Sequence, residues 1–437
     1  MPNRAFLSPC INPLMVGLVR LLFPLMMRTM FGGLRVHIDP EELEKLRRYK
    51  GQRMLLLPNH PTGEEPAVMF VISMQLGEIF NFVAARELFD LERGFRGWVM
   101  RRLGVYSVIR GVTDRESFMT SKKILMTGKN RLIIFIEGEI SRQNDTLIPF
   151  EPGVIQLTLW AQEALAKEAG KANRKQTPAS PDERTADHGA GPDYPPVYIA
   201  PVAIKYYYLP GVDVAIEQSI RALEKSVGIQ SKPEAERYAR VRAIAKQVVQ
   251  VQEALHQIVS LPGTTMNDRV GAIKHRMLKK IEVFLGLKPD PEASTLERLR
   301  EIRNMMDRMI HTYEDPQDLS DYEKRTIEHF RLAMSEFYRD LDRVTYFLTY
   351  DEAYLRDHQS PEHFIEMLHR LEKEVFGVGR LVYPRVAVVK VGEVIDLKAR
   401  FDDYEADKKG LVKQVAAGLE TNMMTLLASA ERPPNIH

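Results

Sequence analysis

Asn59 and His60 follow an apolar run in the stretch LLLPNHPTGEEP, and Glu64 and Glu65 come just after them. Imidazole is the side chain that most readily takes and returns a proton near pH 7. A carboxylate on its second ring nitrogen fixes the tautomer and stabilises the charged ring. Glu64 and Glu65 are both candidates for that partner. Each would also fit as a solvated charge at a helix start, where the dipole favours it.

Three further stretches join strand-like runs to polar residues. GVYSVIRG leads to Arg110, whose guanidinium offers a planar fork to a phosphate. FIEGEISR places Glu137 and Gly138 directly after RLIIFI and carries Arg142 at its end. IAPVAIKY carries Pro201 inside an apolar run. Ligands of open α/β sheets bind beyond the carboxyl ends of strands, and three of the four stretches put their polar residues there.

The elements that must hold these residues alternate. Residues 55–57, 81–85, 105–109, 131–136 and 197–208 read as strands, without the alternation of a sheet wet on one face. Helical stretches lie between them, at about 64–77, 96–104, 116–127 and 152–169. This pattern predicts an α/β domain with a central mixed sheet and flanking helices. Residues 170–195 are polar and rich in Pro, Gly, Ala and Ser, which predicts a mobile loop.

Residues 215–376 are a different material. Val241, Ile244, Val248, Val251, Leu255 and Ile258 make one apolar stripe. Ile327, Phe330, Met334, Phe337, Leu341, Val344 and Leu348 make another. Ser294 with Glu297 and Ser320 with Glu323 are capping-box patterns, and Ser360-Pro361 marks a further helix start. Strand character returns at 383–398, and a last helix is expected over 407–430. The expected organisation is a membrane-associating helix in 1–34, an α/β domain over 35–214, an all-helical insertion over 215–380, and a strand and helix in 381–430 that complete the sheet domain.

A net charge of +2 is too balanced to argue for nucleic acid. The single cysteine, Cys10, excludes an intrachain disulfide and suits a reducing compartment. His256, His275, His311 and His329 are scattered without ligand spacing, so no metal site is expected. Residues 11–31 are apolar but broken by Arg20, Pro24 and Arg28, where a spanning helix needs roughly 20 unbroken apolar residues. MRTMFGG is a poor cleavage site for a secretory signal. The favoured reading is a helix in the membrane interface with its arginines reaching for headgroups; the competing one is a buried helix of the fold.

The four stretches, in this order, resemble the glycerolipid acyltransferase family of the lysophosphatidic-acid acyltransferase type. That family carries an Asn-His pair followed by an aspartate, a Gly…Arg segment, a Phe-Pro-Glu-Gly segment and an apolar strand with proline. Here these fall on Asn59, His60 and Glu65, on Gly104 to Arg110, on residues 135–138, and on Pro201. FVAARELF and IPFEPGVIQLTLWA also resemble the family's connecting text, and the likeness runs over roughly 35–208. Two departures stand out. Glu65 replaces the aspartate with a side chain one methylene longer. Ile136 replaces the proline, and Glu139-Ile140 stands where Thr-Arg is usual, so that Arg142 is the nearby basic group.

The resemblance implies acyl transfer from acyl-CoA or acyl carrier protein to a hydroxyl of a glycerol phosphate or lysophospholipid, at the cytoplasmic face of a membrane. His60 is then the general base and Glu65 its partner, about one turn away if the helix starts near Glu64. Asn59, Arg110, Glu137, Gly138 and Arg142 are then the acceptor-binding residues, with Glu137 set to meet a glycerol hydroxyl or orient a basic side chain. No serine or cysteine nucleophile is evident, and no cofactor beyond the acyl donor is needed. A second reading is a lipid-binding or scaffold protein that kept this fold and lost catalysis. A carboxylate turned away from His60 would favour it.

Overall fold

The computed structural model describes residues 6–109, 114–176, 193–288, 290–312, 320–348, 352, 360–379 and 383–434. The strands are β1 (Arg35–Ile38), β2 (Arg53–Pro58), β3 (Phe80–Ala85), β4 (Val105–Val108), β5 (Arg131–Ile133), β6 (Val197–Tyr208), β7 (Arg385–Val391) and β8 (Ile395–Asp396). Among the described residues they form one sheet in the order β1-β7-β6-β2-β5-β3-β4, with β8 paired to β6. β6, β2, β5, β3 and β4 run parallel, whereas β7 and β8 pair antiparallel with β6. The sheet is mixed, as expected. Its parallel part places the carboxyl ends of β2, β4 and β5 at one edge, so the loops after them must meet there.

Side chains on β2 alternate between two cores, as the period of two in a strand requires. Leu55 and Leu57 join one with Leu132, Ile155, Leu159 and Leu419; Met54 and Leu56 join the other with Phe23, Leu46, Val68 and Ile72. Both faces are therefore covered, which explains strands without polar alternation. The first face is covered by α5 (Arg115–Thr127), α6 (Pro152–Gln176) and the C-terminal helix over 408–429. The second is covered by α1 (Pro13–Thr29), α2 (Pro40–Arg47) and α3 (Glu65–Leu76). A short helix, α4 (Phe95–Arg102), precedes β4.

β5 ends three residues before its expected limit. Ile134 still donates to Leu56 O (3.2 Å), but Gly138 N then turns back to Phe135 O (3.1 Å). Residues 170–176, expected to be loop, continue α6. Residues 177–192, the rest of the predicted mobile loop, lie outside the described residues. Arg20, expected to reach for headgroups, points inward and donates to the carbonyl of Glu78. No helix among the described residues is long and apolar enough to cross a membrane.

Between β6 and β7 the chain forms α7 (Val212–Ser226), α8 (Arg237–Leu255), α9 (Met266–Leu285), α10 (Thr295–Thr312), α11 (Asp321–Tyr346) and α12 (Pro361–Phe376). The capping patterns act as read. Ser294 and Glu297, and Ser320 and Glu323, exchange reciprocal bonds, and the Ser360 hydroxyl accepts from His363 N. α7, α8 and α12 share a core with Tyr208 at the end of β6, while α9, α10 and α11 share a second one. After β8 the chain turns through α13 (Phe401–Ala406) into α14 (Lys408–Ser429), where Asp407 caps the helix by accepting from Gly410 N.

Candidate active site

β6 runs beyond the end of β2, and this overhang organises the site. Pro58 is the last β2 residue in register, opposite Val202. From Ile204 onward the β2-facing backbone groups of β6 need other partners. Asn59 accepts from Ile204 N (2.7 Å) and donates to Ile204 O (3.0 Å). Asn144 does the same for Tyr206, at 2.7 Å in both directions, and Glu362 of α12 accepts from Tyr208 N (3.0 Å). Three side chains thus continue the ladder that β2 has left. They tie the loop after β2, the loop after β5 and the helical region to one strand.

His60 stands just past this junction. Its Nδ1 lies 2.5 Å from Oε2 of Glu65, the first residue of α3. Glu65 is fully buried and accepts from four further donors. Thr62 N (3.0 Å), the Thr62 hydroxyl (2.6 Å) and the Tyr206 hydroxyl (2.7 Å) bind Oε1, and Gly63 N (2.8 Å) binds Oε2. Burial alone would raise this carboxyl's pKa, but the His60 contact and the Thr62 and Tyr206 hydrogen bonds overcome it and bring the pKa down to about 2. An ionised Glu65 only accepts, so the Nδ1 proton points at it and the lone pair sits on Nε2. The imidazole is stacked on the Phe135 ring at 4.2 Å between centroids, which fixes its plane, and its side chain keeps 16% exposure. Glu64 is engaged elsewhere, in an ion pair with Arg385 of β7.

The loop after β5 clasps His60 through its backbone. Glu137 Oε1 accepts from His60 N (2.7 Å), its Oε2 accepts from Ile148 N (2.8 Å), and Ser141 N donates to His60 O (2.9 Å). Glu137 is therefore placed in the wall of the site, with both oxygens on main-chain amides, and not facing open space. Burial pushes its pKa up to about 7 against these hydrogen bonds. Gly138 has φ +70, which suits glycine, and a Cβ there would sit 3.2 Å from Glu151 Cγ. Glu137→Gln should lower stability by about 1–3 kcal/mol, because its amide NH2 must face one of two buried N–H donors. Urea denaturation of both proteins measures this, and an unchanged midpoint would remove Glu137 from the clasp.

The unusual Glu139 forms an ion pair with Arg303 of α10, and Ile140 packs toward Gly63. Arg300 of the same helix donates to the carbonyls of Glu137 (3.2 Å) and Pro149 (2.9 Å). The helical region therefore rests on the loop that clasps His60, with Glu139 receiving Arg303 and Glu151 receiving Arg300 (2.8 Å). Arg142 has φ +60 and donates to Thr62 O (3.2 Å). Arg110 lies outside the described residues.

The structure thus brings together His60, Glu65, Glu137, Gly138 and Arg142, with Asn59 behind them in the sheet. Sequence reasoning missed Thr62 and Tyr206, both donors to Glu65. Thr62 stands in the turn before a helix, where hydroxyls commonly serve carboxylates nearby; Tyr206, on a distant strand, gave no local signal. Residues 37–205 match the family model described as Acyltransferase. A comparison with curated proteins returned no match.

Proposed function

We propose, from the match of residues 37–205 to the acyltransferase family model, a membrane-surface enzyme of glycerophospholipid synthesis. It moves a fatty acyl chain from acyl-CoA or acyl carrier protein to a hydroxyl of a glycerol phosphate or lysophospholipid. The observation that supports this reading is the His60–Glu65 contact, with Nδ1 held at 2.5 Å by a buried carboxylate. In this mechanism Nε2 takes the proton of the acceptor hydroxyl as its oxygen attacks the thioester carbonyl. Glu65 steadies the imidazolium that forms. Collapse of the tetrahedral intermediate breaks the C–S bond, and the proton passes to the leaving thiolate. Purified protein supplied with either donor and with glycerol 3-phosphate or lysophosphatidate should form the acylated acceptor. Absence of product with every pairing would overturn the reading.

The membrane contact rests on α1. Phe23 and Met27 face the core, while Leu14, Leu18, Leu21, Leu22 and Leu25 face outward. An outward row of leucines has no role in a fully solvated helix but suits burial in the acyl boundary of a bilayer. The chain before α1 is bonded to the end of α4, through Cys10 N to Arg101 O (2.9 Å) and Asn12 N to Arg102 O (3.0 Å). α4 exposes Phe95 and Trp98, with the Arg102 guanidinium 3.8 Å from the centre of the Trp98 ring. Aromatic rings with arginine beside them suit the headgroup layer. The double variant Leu21→Glu, Leu25→Glu should cease to co-sediment with anionic vesicles while its circular dichroism is unchanged. Retained sedimentation would place the contact elsewhere.

A further inference from the structure

A cleft of about 350 Å³ opens beside the His60 loop, between the loop after β5, the end of β6, and α12. Its walls include Pro61 and Thr62, which directly follow the catalytic histidine, and Tyr206, which holds Glu65. Its chemistry comes largely from the helical region. The Tyr346 ring at the end of α11 has two cations on it, Arg142 at 4.9 Å and Lys373 of α12 at 5.7 Å. Arg370, one turn before Lys373, is buried and donates to Arg142 O (3.1 Å). Three positive side chains therefore converge on one wall.

The acids of the same cleft are already committed. Glu64 pairs with Arg385, and Glu362 accepts from Arg432 (2.9 Å) and Tyr208 N. Glu366 accepts from Asn144 N (2.7 Å); burial pushes its pKa up to about 7 against the attraction of Arg370 and His363, so its charge is only partial near neutrality and is set against Arg370. Among the described residues, no ion-pair partner stands against Arg142 or Lys373. Like charges gathered on one ring repel each other until an anion lies between them, and arginine with lysine is a pairing suited to phosphate.

We propose that this cleft is a phosphomonoester site, in which Arg142, Arg370 and Lys373 hold a substrate's phosphate close to His60. The assignment rests on the acyltransferase reading for which substrate carries the phosphate. It gives the helical region a function, since two of the three cations stand on α12. The shared chemistry has two sources, the phosphate of a glycerol phosphate acceptor and the 3′-phosphate of coenzyme A.

Titration calorimetry on the full-length protein separates the outcomes, using inorganic phosphate, glycerol 3-phosphate, coenzyme A and 3′-dephospho-coenzyme A. Lys373→Met and Arg142→Gln should each weaken binding of the occupying phosphate about tenfold, the loss of one charge-assisted hydrogen bond. If glycerol 3-phosphate alone responds, the acceptor occupies the cleft. If coenzyme A responds and its dephospho form does not, the donor does. The proposal is overturned if the wild-type protein binds none of the phosphomonoesters. It is also overturned if both variants, shown folded by circular dichroism, bind as the wild type does. His60→Ala should bind phosphate normally, because His60 is not part of the cleft wall. An inactive protein that still binds phosphate through Lys373 would therefore count against the acyltransferase reading and leave this site standing.

Discussion

His60→Ala should lower kcat for acyl transfer by about 10²- to 10⁴-fold, the usual worth of a positioned general base, with little change in KM for either substrate. The geometry argues for an effect on kcat. Every contact of the imidazole with the protein serves its orientation. Glu65 fixes the tautomer, Phe135 fixes the plane, and the backbone on both sides of the ring is held by Glu137 and Ser141. Nothing in this arrangement is needed to bind a phosphate or an acyl chain. Removal of the ring therefore takes away a group that matters most when the hydroxyl proton moves.

The variant also separates the two readings of the protein. A scaffold that had lost catalysis would have no reason to keep a buried carboxylate on this partly exposed histidine. Loss of the imidazole costs Glu65 one of five donors, so stability should fall by about 1–3 kcal/mol while the fold persists. Initial rates and thermal melts on the same preparation distinguish the two effects. Wild-type rates in a folded His60→Ala protein would sink the mechanism.

How much of this was legible in the chain depends on the range of each interaction. The strands could be read because residues such as Leu55, Leu56 and Leu57 report their surroundings directly: a strand with no polar face has both faces covered. His60 and Glu65 could be paired because their partnership is local, five residues across one turn. Asn59 could be found but not understood, since its amide completes a ladder with Ile204, and the overhang of β6 exists only once the sheet has assembled. Glu137 was placed among the acceptor contacts for the same reason; that its two oxygens hold the amides of His60 and Ile148 follows from a turn that no spacing reveals. Arg370 and Lys373 left the weakest trace. Charged residues on an amphipathic helix carry no local sign of a ligand, and the meaning of these two comes from Tyr346 and Arg142, which the fold brings to them.

Glu65→Gln should cost about as much activity as loss of the base itself, on the order of 10⁴-fold, with the side-chain volume unchanged. Both carboxylate oxygens receive donors, three on Oε1 and two on Oε2. A glutamine must turn its NH2 toward one set. Facing His60, it presents a donor to Nδ1, and the proton shifts to Nε2, where the base is needed. Facing Thr62, it meets a backbone N–H that cannot rotate away. The same change shows in stability against pH. The folded carboxyl titrates at about 2, below its unfolded value near 4.5, so between these values the unfolded chain binds more protons than the native one. The stabilisation is present above pH 4.5 and lost as pH falls toward 2; it is worth about 3 kcal/mol. Urea midpoints at pH 7 and pH 3 should converge in Glu65→Gln relative to the wild type, and an equal drop in both proteins would assign the acid sensitivity to other carboxylates. Glu65→Asp is the sharper variant. Retracting the carboxylate by one C–C bond, about 1.5 Å, cannot keep five contacts that now lie between 2.5 and 3.0 Å. The longer acid is matched to its surroundings: Tyr206, reaching in from β6, meets the extra methylene's carboxylate at 2.7 Å. Glu65→Asp should therefore keep the tautomer only in part, with activity between that of Glu65→Gln and the wild type. Full activity in the aspartate variant would show that the Tyr206 contact does not matter to how His60 is held.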